Sequence, residues 1–218
     1  MLNKFFTYSD PKLSDNKLIL PLEPNFFWSR LYEYEFCKQF INSNDIVLDA
    51  GCGGDSLFKF LLSGLCKETH GCDLESMTWE DISKSIEYRY KPHIESLSII
   101  KTLYDNLYLK QCSMDSTPYY SRTFDKIFCI SVFEHMDEDT QISSLIEFKR
   151  VLKDNGMIIL TCDYPTINPT KLMKMANRIG LKIDDGYNYT IPHDHIQSDY
   201  FGYNCKCFSM VLTKGEIL

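Results

Sequence analysis

An acid followed by three crowded glycines defines the chemistry open to this chain: Val47-Leu48-Asp49-Ala50-Gly51-Cys52-Gly53-Gly54-Asp55-Ser56. Glycine takes positive φ freely and lets a ligand approach the main chain closely. A nucleotide-like cofactor lying across such a turn is the expected tenant. Dinucleotides and sulfonium-bearing adenosyl cofactors both use this geometry, so the glycines alone do not choose between them. Further polar residues follow later apolar runs: Asp73, then Met114-Asp115, then Ser131, Glu134 and His135, then Asp163. In open parallel sheets ligands bind beyond the carboxyl ends of the strands. Five successive strand ends carrying such groups form a site-like pattern.

A proton acceptor is sought among five histidines. His70 falls within a strand pattern and His93 on a helix, and both are set aside. His135 stands at the mouth of the expected site and titrates near neutrality, which suits acid–base work; its plainer role is to pack the following helix. His193-Asp194-His195 lies on a long polar loop, which is either solvated or part of an acceptor pocket. Asp163, beside Tyr164-Pro165, is the third possibility. His193-x-His195 with Glu134, His135 or Asp163 has the donor types for a divalent ion, but no metal is expected.

The elements that position these residues alternate. Strand patterns cover 46–50, 69–73, 107–112, 124–131, 157–162, 181–187 and 205–213. Helical patterns cover 54–64, 76–106 with a break near Pro92, 138–152 and 169–180. Asn155-Gly156 is expected to punctuate the end of the third of these helices. Alternation of this kind means an α/β layer fold with a mainly parallel sheet. With 218 residues and no linker or repeat, a single domain over 1–218 is expected. Residues 1–40 stand apart, because 26–36 are dense in aromatics. They read as a helix packed on the sheet edge or as a lid over the cofactor.

Composition excludes several classes. The net charge of −7 leaves no basic footprint for nucleic acid. No apolar run approaches the roughly 18 residues of a membrane span, and the N-terminus lacks a signal-peptide core. Nine scattered cysteines suit reduced thiols in a cytoplasmic protein. Cys205-x-Cys207 lacks the second ligand pair of a zinc site.

Four segments, in order, resemble a class I S-adenosylmethionine-dependent methyltransferase of the small-molecule (type 11-like) branch. The first is Val47–Gly54. The second is His70-Gly71-Cys72-Asp73-Leu74-Glu75. The third runs Phe124-Asp125-Lys126-Ile127-Phe128-Cys129-Ile130-Ser131-Val132-Phe133-Glu134-His135-Met136. The fourth is Val151-Leu152-Lys153-Asp154-Asn155-Gly156-Met157-Ile158-Ile159-Leu160-Thr161. The resemblance spans roughly residues 40–165. One departure is the third glycine, which the family places where Asp55 stands; here it falls at Gly54. A nicotinamide enzyme would want Gly-x-Gly-x-x-Gly, and Ser56 occupies the last position.

The resemblance implies a Rossmann-like sandwich, with a mainly parallel seven-stranded sheet, the last strand antiparallel and helices on both faces. S-adenosylmethionine is the implied cofactor, cradled by Asp49, Gly51 and Gly53. Asp73 is the implied ribose ligand, since a carboxylate accepts from two adjacent hydroxyls; the alternative is a helix cap. Asp115 is implied for the adenine amino group, with Leu74 and Met114 sandwiching the ring. Main-chain groups at Gly51 and Ser131 meet the methionine end. Asp55 faces the methionine amino group or caps the next helix, and Arg30 and Tyr34 meet the carboxylate. The chain lacks an Asn-Pro-Pro-Tyr-type motif after the fourth strand, having Ser131-Val132-Phe133-Glu134 instead. A small-molecule acceptor is therefore expected, first an oxygen on a sugar, nucleotide-sugar or other polar metabolite, and second a nitrogen. Catalytic roles are expected for His135, His193 and Asp163. A cofactor-binding partner subunit without transferase activity is the remaining alternative; oligomeric state is left open.

Overall fold

The computed structural model describes residues 1–14, 28–91, 94–199 and 202–215. His93, Phe26 and Phe27 lie outside them. In chain order the elements are β1 (Asn3–Lys4), α1 (Arg30–Lys38), β2 (Ile46–Ala50), α2 (Phe58–Ser63), β3 (Glu68–Asp73), α3 (Trp79–Tyr90), α4 (Ile94–Tyr104), β4 (Leu107–Gln111), β5 (Phe124–Ile130), α5 (Glu138–Val151), β6 (Leu152–Tyr164), α6 (Pro169–Arg178), β7 (Leu181–Ile183), β8 (Tyr187–Asn188), β9 (Gln197–Ser198) and β10 (Cys205–Lys214).

The main sheet runs β4-β3-β2-β5-β6-β10-β7, with β9 paired to β10. β4, β3, β2, β5 and β6 are parallel, whereas β10 runs antiparallel to both β6 and β7. This is the expected seven-stranded sheet with its last strand reversed. The strand order turns around at β2, which has β3 on one side and β5 on the other. That is the switch point beyond which ligands bind.

Side chains alternate across the pleat, and both faces are covered. Val47, Phe128, Ile159 and Val211 enter one core with residues of α1, α2, α3 and α4, including Tyr34, Phe58, Ile82 and Ile100. Their neighbours Leu48, Ile127, Ile158 and Leu212 enter the other, with Leu145 and Phe148 of α5 and Leu172 and Met175 of α6. Truncating a fully buried ring such as Phe148 costs about 3–5 kcal/mol.

Several boundaries differ from the sequence pattern. α2 starts at Phe58 rather than Gly54, because residues 51–57 form a loop whose carbonyls turn to a side chain. Asn155-Gly156 does not end a helix. β6 begins at Leu152, directly after α5, and carries both residues inside it. Gly156 is there for space: a Cβ would lie 2.6 Å from Leu152 Cδ1 and 2.9 Å from the Asp125 carbonyl. A register shift between Phe124 and Lys126 absorbs the irregularity. The strand pattern over 181–187 is split, since positive φ at Asp185 and Gly186 turns the chain. Tyr187–Asn188 then pairs with β1.

The described part of the aromatic N-terminal segment is integral to the core. Tyr32, Tyr34, Phe36 and Cys37 of α1 are buried, and Tyr34 stacks on Phe58 with centroids 5.2 Å apart. Asn3 ties β1 down. Its Nδ2 donates to the Asp184 and Gly186 carbonyls, and its Oδ1 accepts from Val211 N–H at 2.6 Å.

Candidate functional site

β2 delivers Asp49 to the carboxyl edge and then breaks into the glycine turn. Gly51 and Cys52 N–H donate to the Cys72 carbonyl at 2.8 and 3.1 Å, which pins the turn to β3. Gly51 sits at φ +72°, and a Cβ there would meet Val132 Cγ1 at 2.6 Å and Met114 Cε at 2.9 Å. Gly53, at φ +53°, donates its N–H to Asp73 Oδ2 at 2.8 Å. Gly54 N–H reaches Glu75 Oε2 at 3.1 Å, and Glu75 N–H reaches Asp73 Oδ1 at 3.0 Å. Asp73 thus braces the turn from the end of β3. Leu74 beside it is 72% exposed, Met114 is nearly buried over Gly51, and Asp115 is half-buried after β4.

Asp49 is buried, and its Oδ2 has no hydrogen-bond partner among the described residues. Burial pushes this carboxyl up to about 7; Lys59 and Arg30 pull it down and Asp73 pushes it further up. A buried acceptor without a donor is uncommon and calls for a ligand or a proton.

On the β5–β6 side a second cluster forms around Glu33, which the sequence reading missed. Glu33 is fully buried on α1. Its Oε2 accepts from Arg30 Nη1 at 2.6 Å and from Ser29 Oγ at 3.2 Å, and its Oε1 from Ser131 Oγ and, at 3.2 Å, Cys207 Sγ. Burial alone would raise the Glu33 pKa; Arg30 and the Ser131 bond overcome it and hold the carboxyl below its ordinary value. Ser131 has φ +46° and donates its N–H to Thr161 at 2.9 Å. Its hydroxyl is committed to Glu33.

Glu134 is buried in the 3-10 turn Phe133–His135. Its Oε1 accepts Asp163 N–H at 3.0 Å and its Oε2 has no partner among the described residues. Burial, then the neighbouring Asp163, holds its carboxyl well above the carboxylate range. Asp163 is raised to about 6 by burial and Glu33, against Arg30 and a Cys205 thiol bond; its Oδ1 is also without a partner.

His135 is exposed beside this cluster. Partial desolvation and the Arg30 charge lower its pKa, so the imidazole is neutral at pH 7. The structure therefore brings Arg30, Ser131, His135 and Asp163 together. His193 is exposed in the turn before β9, and among the described residues no bond links it to His135 or Asp163. His195 bridges to Thr7 and bonds the Pro192 carbonyl and Gln197. Asp55 pairs with Arg89 Nε at 2.6 Å, and α2 is capped at Leu57 with no side-chain bond, so Asp55 is not the helix cap. Among the described residues no group of three His, Cys, Asp or Glu could hold a metal ion.

Lys59 was also missed. It is fully buried, and its Nζ donates to the carbonyls of Cys52, Gly53, Gly54 and Ser56. The sequence hides it inside the apolar run Leu57–Leu62. Glu33 had a fainter signal, standing three residues after Arg30 on an aromatic helix.

A family model described as a methyltransferase domain matches residues 48–160, just over half of the chain. The uncharacterized protein MJ0638 of Methanocaldococcus jannaschii is 30% identical over 138 residues, 63% of this chain and 48% of its own length. The chain thus spans about half the length of that curated relative. Among solved structures, a TehB-like SAM-dependent methyltransferase from Corynebacterium glutamicum aligns with TM-score 0.59 at 16% identity, covering 84% of this chain and 86% of that one. The YcgJ protein from Bacillus subtilis aligns with TM-score 0.62 at 15% identity, covering 84% and 98%. The [4+2]-cyclase SpnF aligns with TM-score 0.62 at 11% identity, covering 96% and 89%. At these identities the structures speak for the fold alone.

The residues present fit an adenosyl cofactor bearing an ammonium. Asp49 offers an unpartnered buried carboxylate beside a turn where Gly51 leaves no room for a side chain, and Asp73 offers a half-exposed carboxylate at the next strand end. With the family match over residues 48–160 and this sheet order, the chain belongs to the class I S-adenosylmethionine-dependent methyltransferases.

Proposed function

We propose that this chain transfers a methyl group to a small-molecule acceptor, with an oxygen of a sugar, nucleotide-sugar or other polar metabolite as the receiving atom. S-adenosylmethionine supplies a sulfonium methyl that is already electrophilic. What the chain contributes is holding, orientation and removal of a proton. Asp73 accepts from the ribose hydroxyls and Asp115 from the adenine amino group, while Leu74 and Met114 flank the ring. Asp49 accepts from the amino group of the methionine end, and Arg30 faces its carboxylate. Tyr34, which acts on Arg30, faces the same carboxylate, and Asp55, held by Arg89 at 2.6 Å, faces the amino group. At the acceptor, His135 is the proposed general base: it is exposed at the edge and kept neutral at pH 7, so it can take a hydroxyl proton. Asp163 and His193 shape the pocket around it.

The observation that carries this reading is the buried, unpartnered Asp49 Oδ2 beside the close-packed glycine turn. Titration calorimetry tests it. S-adenosylhomocysteine is expected to bind and NAD is not; a folded protein that binds neither sulfur cofactor overturns the reading. Labelled S-adenosylmethionine against a panel of hydroxyl and amine acceptors then assigns the receiving atom. An amine is the second reading, favoured by Glu134 and Asp163, two neighbouring buried acids at this strand end.

A further inference from the structure

Lys59 occupies a place where a lysine is costly. It lies in the first turn of α2 with no exposed surface, between Phe58 and Phe60, which are also buried. A buried ammonium survives only when its protons are matched. No carboxylate pairs with it at salt-bridge distance among the described residues. It donates to main chain instead: the Ser56 carbonyl at 2.5 Å, Gly53 at 2.7 Å, Cys52 at 3.2 Å and Gly54 at 3.3 Å. Three ammonium protons serve four acceptors. The Nζ also sits 5.0 Å from the Phe60 ring centroid.

These carbonyls are the ones that the late start of α2 leaves without helical donors. Gathering them on one side of the turn leaves the Gly53 and Gly54 N–H groups on the other, where they meet Asp73 and Glu75. Both main-chain orientation and charge are thereby fixed from inside the core.

Taking the cofactor reading above as its basis, we propose that Lys59 is a positioning residue: its ammonium organises the backbone of the glycine turn and, through that turn, sets cofactor affinity without touching the cofactor. Electrostatics act in the same direction. Burial pulls the Lys59 pKa down, and Cys52, Asp49, Asp55 and Asp73 push against it; Asp49 in turn is raised by burial and by Asp73 and lowered by Lys59 and Arg30. Removing the ammonium takes away one of the two positive charges that favour the ionised form of Asp49.

The test compares Lys59→Met, which preserves length and apolar bulk, with Leu62→Ala, which loosens the same buried helix and leaves the turn's donor and its ring neighbour in place. Lys59→Met is expected to raise the dissociation constant for S-adenosylhomocysteine and the KM for S-adenosylmethionine by about 10–100-fold at pH 7.5, on the order of one to two lost charged hydrogen bonds. Turnover at saturating cofactor should stay within about two-fold, an interaction lost equally from ground and transition states. The pH below which affinity declines should move upward. Leu62→Ala should lower the melting temperature with affinity unchanged. A folded Lys59→Met protein with wild-type affinity and pH profile overturns the proposal. If that variant does not fold, Lys59→Arg decides: it keeps charge and donors in a displaced position, so affinity should fall and the Gly53 and Gly54 amides should exchange faster. Wild-type values for both overturn the proposal. Failure of the wild-type protein to bind S-adenosylhomocysteine would instead fault the cofactor reading itself.

Discussion

The two ends of the same carboxyl edge solve opposite problems. At the β2–β3 end every group bracing the glycine turn has a partner: Lys59 on four carbonyls, Asp73 on two amides, Glu75 on Gly54. At the β5–β6 end Glu134 and Asp163 each keep a buried oxygen without one among the described residues, and both are pushed toward their protonated forms. Asp49 stands between them and shares the second character. The first end is organised before any ligand arrives, so binding there adds bonds without reordering the chain. At the second end, the unpartnered oxygens leave bonds for a ligand to make. Substitutions at the first end should therefore move affinity, and those at the second should move turnover and pH dependence.

The largest expected effect is at the second end. His135→Ala should lower turnover on a hydroxyl acceptor by about 10²–10⁴-fold, the usual contribution of a general base, with cofactor affinity nearly unchanged. Steady-state kinetics beside calorimetry separate the two. A drop in affinity with normal turnover would reverse the proposed division of labour. Normal values for both would leave the amine reading in possession, since an acceptor that is already deprotonated needs no base.

Asp73→Ala should have the converse signature. It removes the acceptor for two ribose hydroxyls and releases Gly53 N–H. Loss of charged hydrogen bonds at about 1.5–3 kcal/mol each weakens the cofactor by at least about ten-fold, while turnover at saturation and the fold persist. Unchanged affinity would make Asp73 only a brace for the loop.

A third prediction concerns stability without ligand. Asp49 is raised from 3.8 to about 7 and Asp163 from 3.8 to about 6. Between pH 4 and 7 the folded chain keeps protons that the unfolded chain has released. These groups therefore favour the fold most below about pH 4, and their contribution is lost as pH rises through 6 and 7. Glu33 is shifted the other way, and its contribution disappears only below the ordinary glutamate range. From these two carboxyls, denaturant unfolding of cofactor-free protein should show a loss on the order of 4 kcal/mol between pH 5 and 8. Asp163→Asn should flatten the part of that slope near pH 6. A flat profile in the parent protein would show that these carboxyls are solvated.

The same contrast explains what was legible in the sequence. The fold was readable because strands buried on both faces leave continuous apolar runs, such as Ile127–Ile130, and because Gly51 and Gly53 mark positive φ directly. The strand-end acids were readable because sheet topology fixes where strand ends point. Lys59 and Glu33 were not. Each is a charge buried by contacts made far along the chain or with main chain, and a local pattern sees only a polar interruption in an apolar run. Asn155-Gly156 misled for a related reason: Gly156 is required by the closeness of Leu152 and Asp125, not by a turn. The partner of Asp55, Arg89, lies 34 residues away, beyond any capping rule.

The smallest predicted effect tests where the second end stops. His193 is exposed, and its loop is anchored from behind: Tyr8 N–H donates to the Asp194 carbonyl at 3.0 Å, Ile196 N–H to Phe6 at 3.0 Å, and His195 bridges to Thr7. β9 then pairs with Cys205 and Lys206, and Lys206 with Tyr164, next to Asp163. The loop is thus fixed two strands from the acid cluster, a position that suits the rim of an acceptor pocket. Rim contacts contribute little individually. His193→Ala should accordingly raise the acceptor KM by about two- to five-fold, under ~1 kcal/mol, with turnover and cofactor affinity unchanged. A fall in turnover comparable with that of His135→Ala would instead extend the catalytic end of the edge outward across β10 and β9.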